Sequence, residues 1–281
     1  MDGSGEFEVY LAHLAQGLGH ADRHAGLTGY CTGLMLPLSR KSVEPMAARA
    51  DPLHASAKHQ ALHHFVAKAE WGDEPLLRLV AQWVVPHMDM SEGGFWIVDG
   101  TGFPKKGTHS VGVTRQYCGV LGKQDNCQVA VSVSLACKQG SLPVAWQLYL
   151  PRNWADDAGR RVKAGIPEDM EFATKPQIAL QQLIKLVDEG APRHCVLADA
   201  GYGIDYQFRQ GLKRYGLVLR SGHHLGGRSL APGGGAVGTQ ALQRYGPPSR
   251  DARAHRETTA GERQGVGALP ARQRLPEHQL A

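Results

Sequence analysis

Apolar positions recur at helical spacing through residues 1–90 and change to strand-like runs from residue 94 onward. In "FEVYLAHLAQGL" the residues Phe7, Leu11, Leu14 and Leu18 fall on one helical face. "HASAKHQALHHFVAKA" is rich in Ala and other good helix formers, and Ala57, Ala61, Leu62, Phe65 and Val66 make one stripe. Between them "LSRKSVEPMAARA" reads as a helix start, with Ser42 as N-cap and Pro45 in the first turn. "DEPLLRLVAQWVVPHM" is a fourth helix, with Asp73 near its start and Pro75 in its first turn. Four short helices with tight connections fit a plain bundle, and a helix-turn-helix is the alternative. His63 and His64 are adjacent and so point to different helix faces, which favours packing or surface roles over metal binding.

The second pattern is β-branched and partly alternating. "GFWIVD", "SVGVTRQYCGVLG", "NCQVAVSVSLACKQG" and "LPVAWQLYLP" are separated by Gly, Lys or Asn and read as consecutive antiparallel strands. "TKPQIALQQLIKLVDEG" is then a helix, with Thr174 as cap, Pro176 in the first turn and Gly190 as the stop. "HCVLAD" is a buried strand, "YGIDYQFRQGLKRYG" a helix and "LVLRS" a last short strand. The predicted fold class is therefore α/β, with a helical N-terminal region followed by a mixed-sheet core.

Two of these apolar runs end in an aspartate, Asp99 and Asp199. After Asp99 come Gly100-Thr101-Gly102, a proline and the pair Lys105-Lys106. One reading is a strand closing in an Asx-type turn and a solvated loop. The other is a metal-binding carboxylate beside a phosphate-binding loop, which needs a partner acid. With right-handed crossovers the two strands lie side by side and parallel, and both aspartates emerge at one sheet edge. Two carboxylates there repel unless a cation bridges them. Hard oxygen ligands without His or Cys suit Mg²⁺ or Mn²⁺. This is the core of a two-metal phosphoryl-transfer site, whose ions sit roughly 4 Å apart. Lys105 and Lys106 are expected near the same edge, as phosphate-neutralising cations, with Thr101 in minor hydrogen bonding. Arg115 is a further DNA-contact candidate, although Arg115 and Lys123 also read as exposed strand charges. Asp156 and Asp157 read as turn or helix caps, and Glu168, Asp169 and Glu171 as a solvated acidic surface.

The bulk properties narrow the classes. The formal charge of +5 points to nucleic acid at first sight, but residues 222–281 hold eight Arg, no Lys and four acids, so most of the excess lies there. Five cysteines (Cys31, Cys118, Cys127, Cys137, Cys195) form no CxxC, which argues against a zinc ribbon or disulfide framework and for a reducing cytoplasm. Cys118, Cys127 and Cys137 read as small apolar strand residues. No run approaches about 18 apolar residues, so no membrane span is expected. "MDGSGEFEVY" lacks the features of a signal peptide. An aspartic protease needs Asp-Thr/Ser-Gly, which Gly100 interrupts; an Asp-first phosphatase needs a second nearby Asp; and "GYG" is too short for a nucleotide loop.

The chain resembles bacterial insertion-sequence transposases of the DDE superfamily over roughly residues 8–221. The resemblance rests on "RKSVEPMAAR", "LHHFVAKAEW", "IVDGTGFPKKGTHSVGVTRQYCGVLGKQDNCQVAVSVSLA", "LYLPRNWADD", "GIPEDMEFATKP" and "LADAGYG", in family order. It implies an N-terminal region (1–90) for end recognition and a ribonuclease H-like catalytic core (91–221). It also implies Asp99 and Asp199 as the first two catalytic acids, holding Mg²⁺ or Mn²⁺. Double-stranded DNA is the implied partner, both transposon ends and target, and self-association is compatible with it.

The third acid of that family, usually a Glu on a later helix, has no place here. Residues 222–281 contain eleven Gly and five Pro but no Ile, Phe, Trp, Met or Lys. Such a stretch reads either as a natural disordered tail or as the wrong reading frame of a GC-rich gene, and we favour the second. Glu257, Glu262 and Glu277 lie in it without an apolar stripe. The expectation is a transposase incomplete in its catalytic acids, truncated or frameshifted after about residue 221. The alternative is a non-catalytic DNA-binding or regulatory fragment.

Overall fold

A computed structural model describes residues 3–222. The expectations for the tail, including Glu257, Glu262 and Glu277, fall on residues 223–281 and lie outside the described residues. Five helices precede the sheet among the described residues: α1 (Gly3–Ala15), α2 (Asp22–Met35), α3 (Val43–Ala50), α4 (Ala55–Ala67) and α5 (Asp73–Val84). Leu11, Leu14 and Leu18 are buried, as their spacing predicts. In α4 the stripe is narrower than expected: Leu62 and Phe65 are buried, whereas Ala57, Ala61 and Val66 are exposed. Ser42 occupies the N-cap position of α3 in extended conformation, but its hydroxyl makes no capping bond. His63 and His64 are exposed, and His63 stacks on His59.

Helix α2 is not predicted by the sequence pattern. "AGLTGYCTGLM" places Gly26, Gly29 and Gly33 in its interior, each costing about 1 kcal/mol relative to Ala. Packing overrides that cost. A Cβ on Gly26 would lie 2.6 Å from the Phe65 ring, and one on Gly33 3.0 Å from the Met46 sulfur. The glycines thus let α2 approach α4 and α3 closely, and Phe65 in turn stacks on Trp71 at 5.3 Å between centroids.

The sheet comprises β1 (Phe95–Pro104), β2 (Thr114–Cys118), β3 (Lys123–Cys137), β4 (Gly140–Leu148), β5 (Cys195–Ala198) and β6 (Leu219–Ser221). The remaining helices are α6 (Arg152–Ala155), α7 (Ala158–Ala164), α8 (Lys175–Asp188), α9 (Ala200–Gly203) and α10 (Tyr206–Arg214). The path is β2-β3-β1-β5-β6, with β4 also paired to β3. Strand β3 runs antiparallel to β1, β2 and β4, while β5 and β6 run parallel to β1. This is the mixed sheet expected of a ribonuclease H-like core. Trp96, Val98, Val131, Val133 and Val196 of the sheet pack with Ile178, Leu183 and Val187 of α8 and with Phe208 and Leu212 of α10. Thr174 and Gln177 form the capping box of α8, and Gly190 (φ +92°) takes the left-handed conformation just beyond its end. α5 lies against this layer, with Glu74 bonded to Lys185 of α8 at 2.6 Å.

The structure corrects one boundary that bears on the site. β1 does not stop at Asp99 but continues to Pro104, paired with β3 throughout, from Phe95 opposite Ala136 to Pro104 opposite Cys127. What ends at Val98 is the parallel pairing with β5, where Val98 lies opposite Ala198. Gly100-Thr101-Gly102 is therefore strand and not turn. Gly102 serves close packing, because a Cβ there would meet the Cys118 sulfur at 2.9 Å and the Cys118 Cα at 3.3 Å.

Candidate active site

Parallel pairing of β1 with β5 puts Phe95 opposite Cys195 and Val98 opposite Ala198, so Asp99 and Asp199 are the next residues on two adjacent strands. Both are exposed. Asp99 Oδ1 accepts the Gly100 N–H at 2.7 Å. Asp199 leaves the strand as the N-cap of α9, its Oδ1 accepting the Tyr202 N–H at 3.1 Å. One oxygen of each carboxylate is thus held by backbone, and neither forms an ion pair among the described residues. Both line a cleft of about 170 Å³, together with Gly100, Tyr117, Lys175 and Tyr202.

The expected cations are elsewhere. Lys105 and Lys106 follow the end of β1, six and seven residues beyond Asp99. At about 3.3 Å per strand residue that is roughly 20 Å away. The Asn126 side-chain amide donates to the carbonyls of Lys105 (2.7 Å) and Gly107 (2.9 Å), which fixes this exposed segment at the far end of the strand pair. Arg115 is exposed on β2 opposite Asn126 and does not line the cleft. Lys123 is paired with Asp125 at 3.0 Å. Thr101, half-buried in β1, lies opposite Ala130 and is not among the lining residues. Asp157 caps α7 by accepting the Arg160 N–H at 2.9 Å, as expected, and Glu168, Asp169 and Glu171 are exposed.

The cation that lines the cleft is Lys175, the first residue of α8. Burial lowers its pKa, while Cys127 and Asp199 act in the opposite direction. Tyr202 is 5% exposed and its hydroxyl has no hydrogen-bond partner among the described residues. Burial first, then the charges of Asp199 and Asp99, push the phenol pKa well above its usual value. Neither residue stands out in the sequence as site chemistry. Topology was the available signal for Lys175: a helix that returns into β5 starts at the sheet edge where β5 ends.

The donor set suits a hard divalent cation. Among the described residues each of the two carboxylates keeps one oxygen free of protein partners, all ligands are oxygen, and the nearby lysine leaves the cleft net negative. Two aspartates supply only part of one cage. Among the described residues no group of three or more His, Cys, Asp or Glu side chains is arranged to hold a metal ion.

The mixed sheet thus carries two aspartates at the end of the parallel pairing of β1 with β5, and comparison with known proteins gives the family. The chain belongs to the DDE superfamily endonucleases, whose family model matches residues 13–275. It is also similar to the "Probable transposase for insertion sequence element IS701" of Microchaete diplosiphon, with 33% identity over 171 residues, covering 61% of this chain and 41% of the relative. The chain thus spans about two-fifths of that relative's length. No helix among the described residues is long and apolar enough to cross a membrane.

Proposed function

We propose that this chain is an insertion-sequence transposase in which Asp99 and Asp199 are the first two catalytic acids for DNA cleavage and strand transfer at transposon ends. The observation that carries the reading is the convergence of these carboxylates, from adjacent parallel strands, on one cleft. Bound there, Mg²⁺ or Mn²⁺ would supply charge stabilisation to the attacking and leaving oxygens of an in-line displacement. The two aspartates hold ligand oxygens at the sheet edge, and the backbone N–H groups of Gly100 and Tyr202 orient them. Helices α3 and α4, joined by residues 51–54, are the candidate end-recognition element.

We further propose that the site is incomplete in this chain. Mg²⁺ dehydrates reluctantly and demands a well-formed cage, so loss of one carboxylate weakens the second ion most. The purified 281-residue chain should give no complete transposition and no robust end cleavage with Mg²⁺ or Mn²⁺. Robust cleavage that depends on both Asp99 and Asp199 would place a third ligand within this chain and overturn the incompleteness. The nucleotide sequence downstream of codon 221, read in all frames, should encode an apolar strand and a Glu-bearing helix in a shifted frame.

Duplex binding should be salt-sensitive. Lys105 and Lys106 lie beyond the cleft, on an exposed segment where a DNA backbone can reach them. Replacing both with Ala should weaken binding similarly across DNA sequences, because phosphate contacts carry no base information. It should also reduce the slope of log affinity against log salt by roughly 2. Anisotropy titrations on two unrelated duplexes check this, and a salt-independent affinity would contradict it.

A further inference from the structure

The cleft contains two donors that metal binding does not employ. Lys175 is half-buried, and its Nζ sits 5.2 Å from the centroid of the Tyr149 ring. Among the described residues it makes no ion pair. It is therefore not simply the counter-ion of Asp199, whose charge acts on it at longer range. Its place at the start of a 14-residue helix adds the positive end of the helix dipole to its own charge. Both point to an anion.

Tyr202 supplies the second observation. Its ring packs on Phe208 at 5.8 Å between centroids, a job phenylalanine would do as well. The hydroxyl is buried, lacks a partner among the described residues, and belongs to a residue that lines the cleft. A buried unpaired hydroxyl is costly, and here the cost is removed if a ligand brings the acceptor. A phenol is protonated at neutral pH and so can act as a donor.

We infer that Lys175 and Tyr202 are the phosphodiester-holding pair of this cleft and donate to the non-bridging oxygens of a DNA strand lying across it. Tetrahedral phosphate offers two such oxygens with delocalised charge, which matches one cationic and one neutral donor beside the two carboxylates. Lys175 takes the role that spacing alone assigns to Lys105 and Lys106. The inference rests on the transposase reading, since a DNA strand occupies this cleft only if the chemistry happens there.

The test uses the full 281-residue chain with a short duplex of arbitrary sequence, titrated between 50 and 200 mM salt. Lys175→Ala should weaken binding roughly tenfold and reduce the salt slope by about 0.9, while Lys175→Arg should restore the slope. Tyr202→Phe should weaken binding roughly three- to tenfold yet leave the melting temperature unchanged or raised, because no protein partner is lost. Unchanged affinity and slope in Lys175→Ala, or a lower melting temperature with full affinity in Tyr202→Phe, would overturn the inference. Mn²⁺ binding by Asp99→Asn, measured in parallel without DNA, separates the two levels. Loss of Mn²⁺ there supports the metal reading whatever Lys175 does, and retention defeats that reading whatever the DNA titration gives.

Discussion

In a chain extended with the shifted-frame sequence proposed above, Asp99→Ala and Asp199→Ala should each lower metal-dependent end cleavage about a thousandfold and leave duplex binding nearly intact. A divalent ion in such a site supplies several kcal/mol of charge stabilisation. At about 1.4 kcal/mol per tenfold in rate, that is roughly three orders of magnitude. The two residues differ in what else they do. Asp99 is exposed in the middle of β1, opposite Ser132, and among the described residues its side chain bonds only to the next N–H, so its replacement leaves the strand intact. Asp199 also caps α9, and alanine there costs a further 0.5–2 kcal/mol or about that. Asparagine caps as well as aspartate but is a poorer ligand for a hard cation. Asp199→Asn should therefore keep the parent melting temperature and still lose cleavage. Gel-resolved cleavage beside thermal unfolding checks both halves. Cleavage within tenfold of the parent in either Ala variant would contradict the assignment.

Trp154→Ala should be strongly destabilising. Trp154 is 1% exposed in the cluster with Leu150, Ala155 and Ile166. Its indole N–H donates to the Val113 carbonyl at 2.8 Å, and the Arg160 guanidinium lies 3.9 Å from its ring centroid. Truncation removes a large buried side chain, at about 3–5 kcal/mol, and leaves the Val113 carbonyl without its donor. For a unit of this size 1 kcal/mol moves the melting temperature by about 2–4 °C, so a fall of roughly 10 °C is expected. Circular dichroism melts measure it, and a fall below about 2 °C would mean that this cluster does not hold the segment between β4 and α8.

Much of this architecture is legible in the sequence because it depends on local rules. The apolar runs ending at Asp99 and Asp199, with a well-capped helix leading into the second, are expected to lie side by side and parallel, and their register pairs them so. Thr174 caps α8 as expected, and the structure adds Gln177 to complete a capping box. The failures share one cause, since each involves a residue whose meaning is set by a distant partner. Gly26 and Gly33 look like helix breakers until Phe65 and Met46 occupy the space beside them. Gly102 looks like part of a turn until Cys118 packs against its bare backbone. That misreading also displaced the lysines, because a strand in place of a turn carries Lys105 and Lys106 away from the acids. Tyr202 reads as one aromatic in "LADAGYG", and only burial without a hydrogen-bond partner distinguishes its hydroxyl.

The most direct test of the central claim is a Mn²⁺ titration of the purified 281-residue chain, followed by calorimetry or by the paramagnetic resonance of free Mn²⁺. One weak site should appear and be lost in both Asp99→Asn and Asp199→Asn. Mn²⁺ binding that survives in either variant, or a parent chain that binds none, would contradict the assignment of these two aspartates as a divalent-cation site.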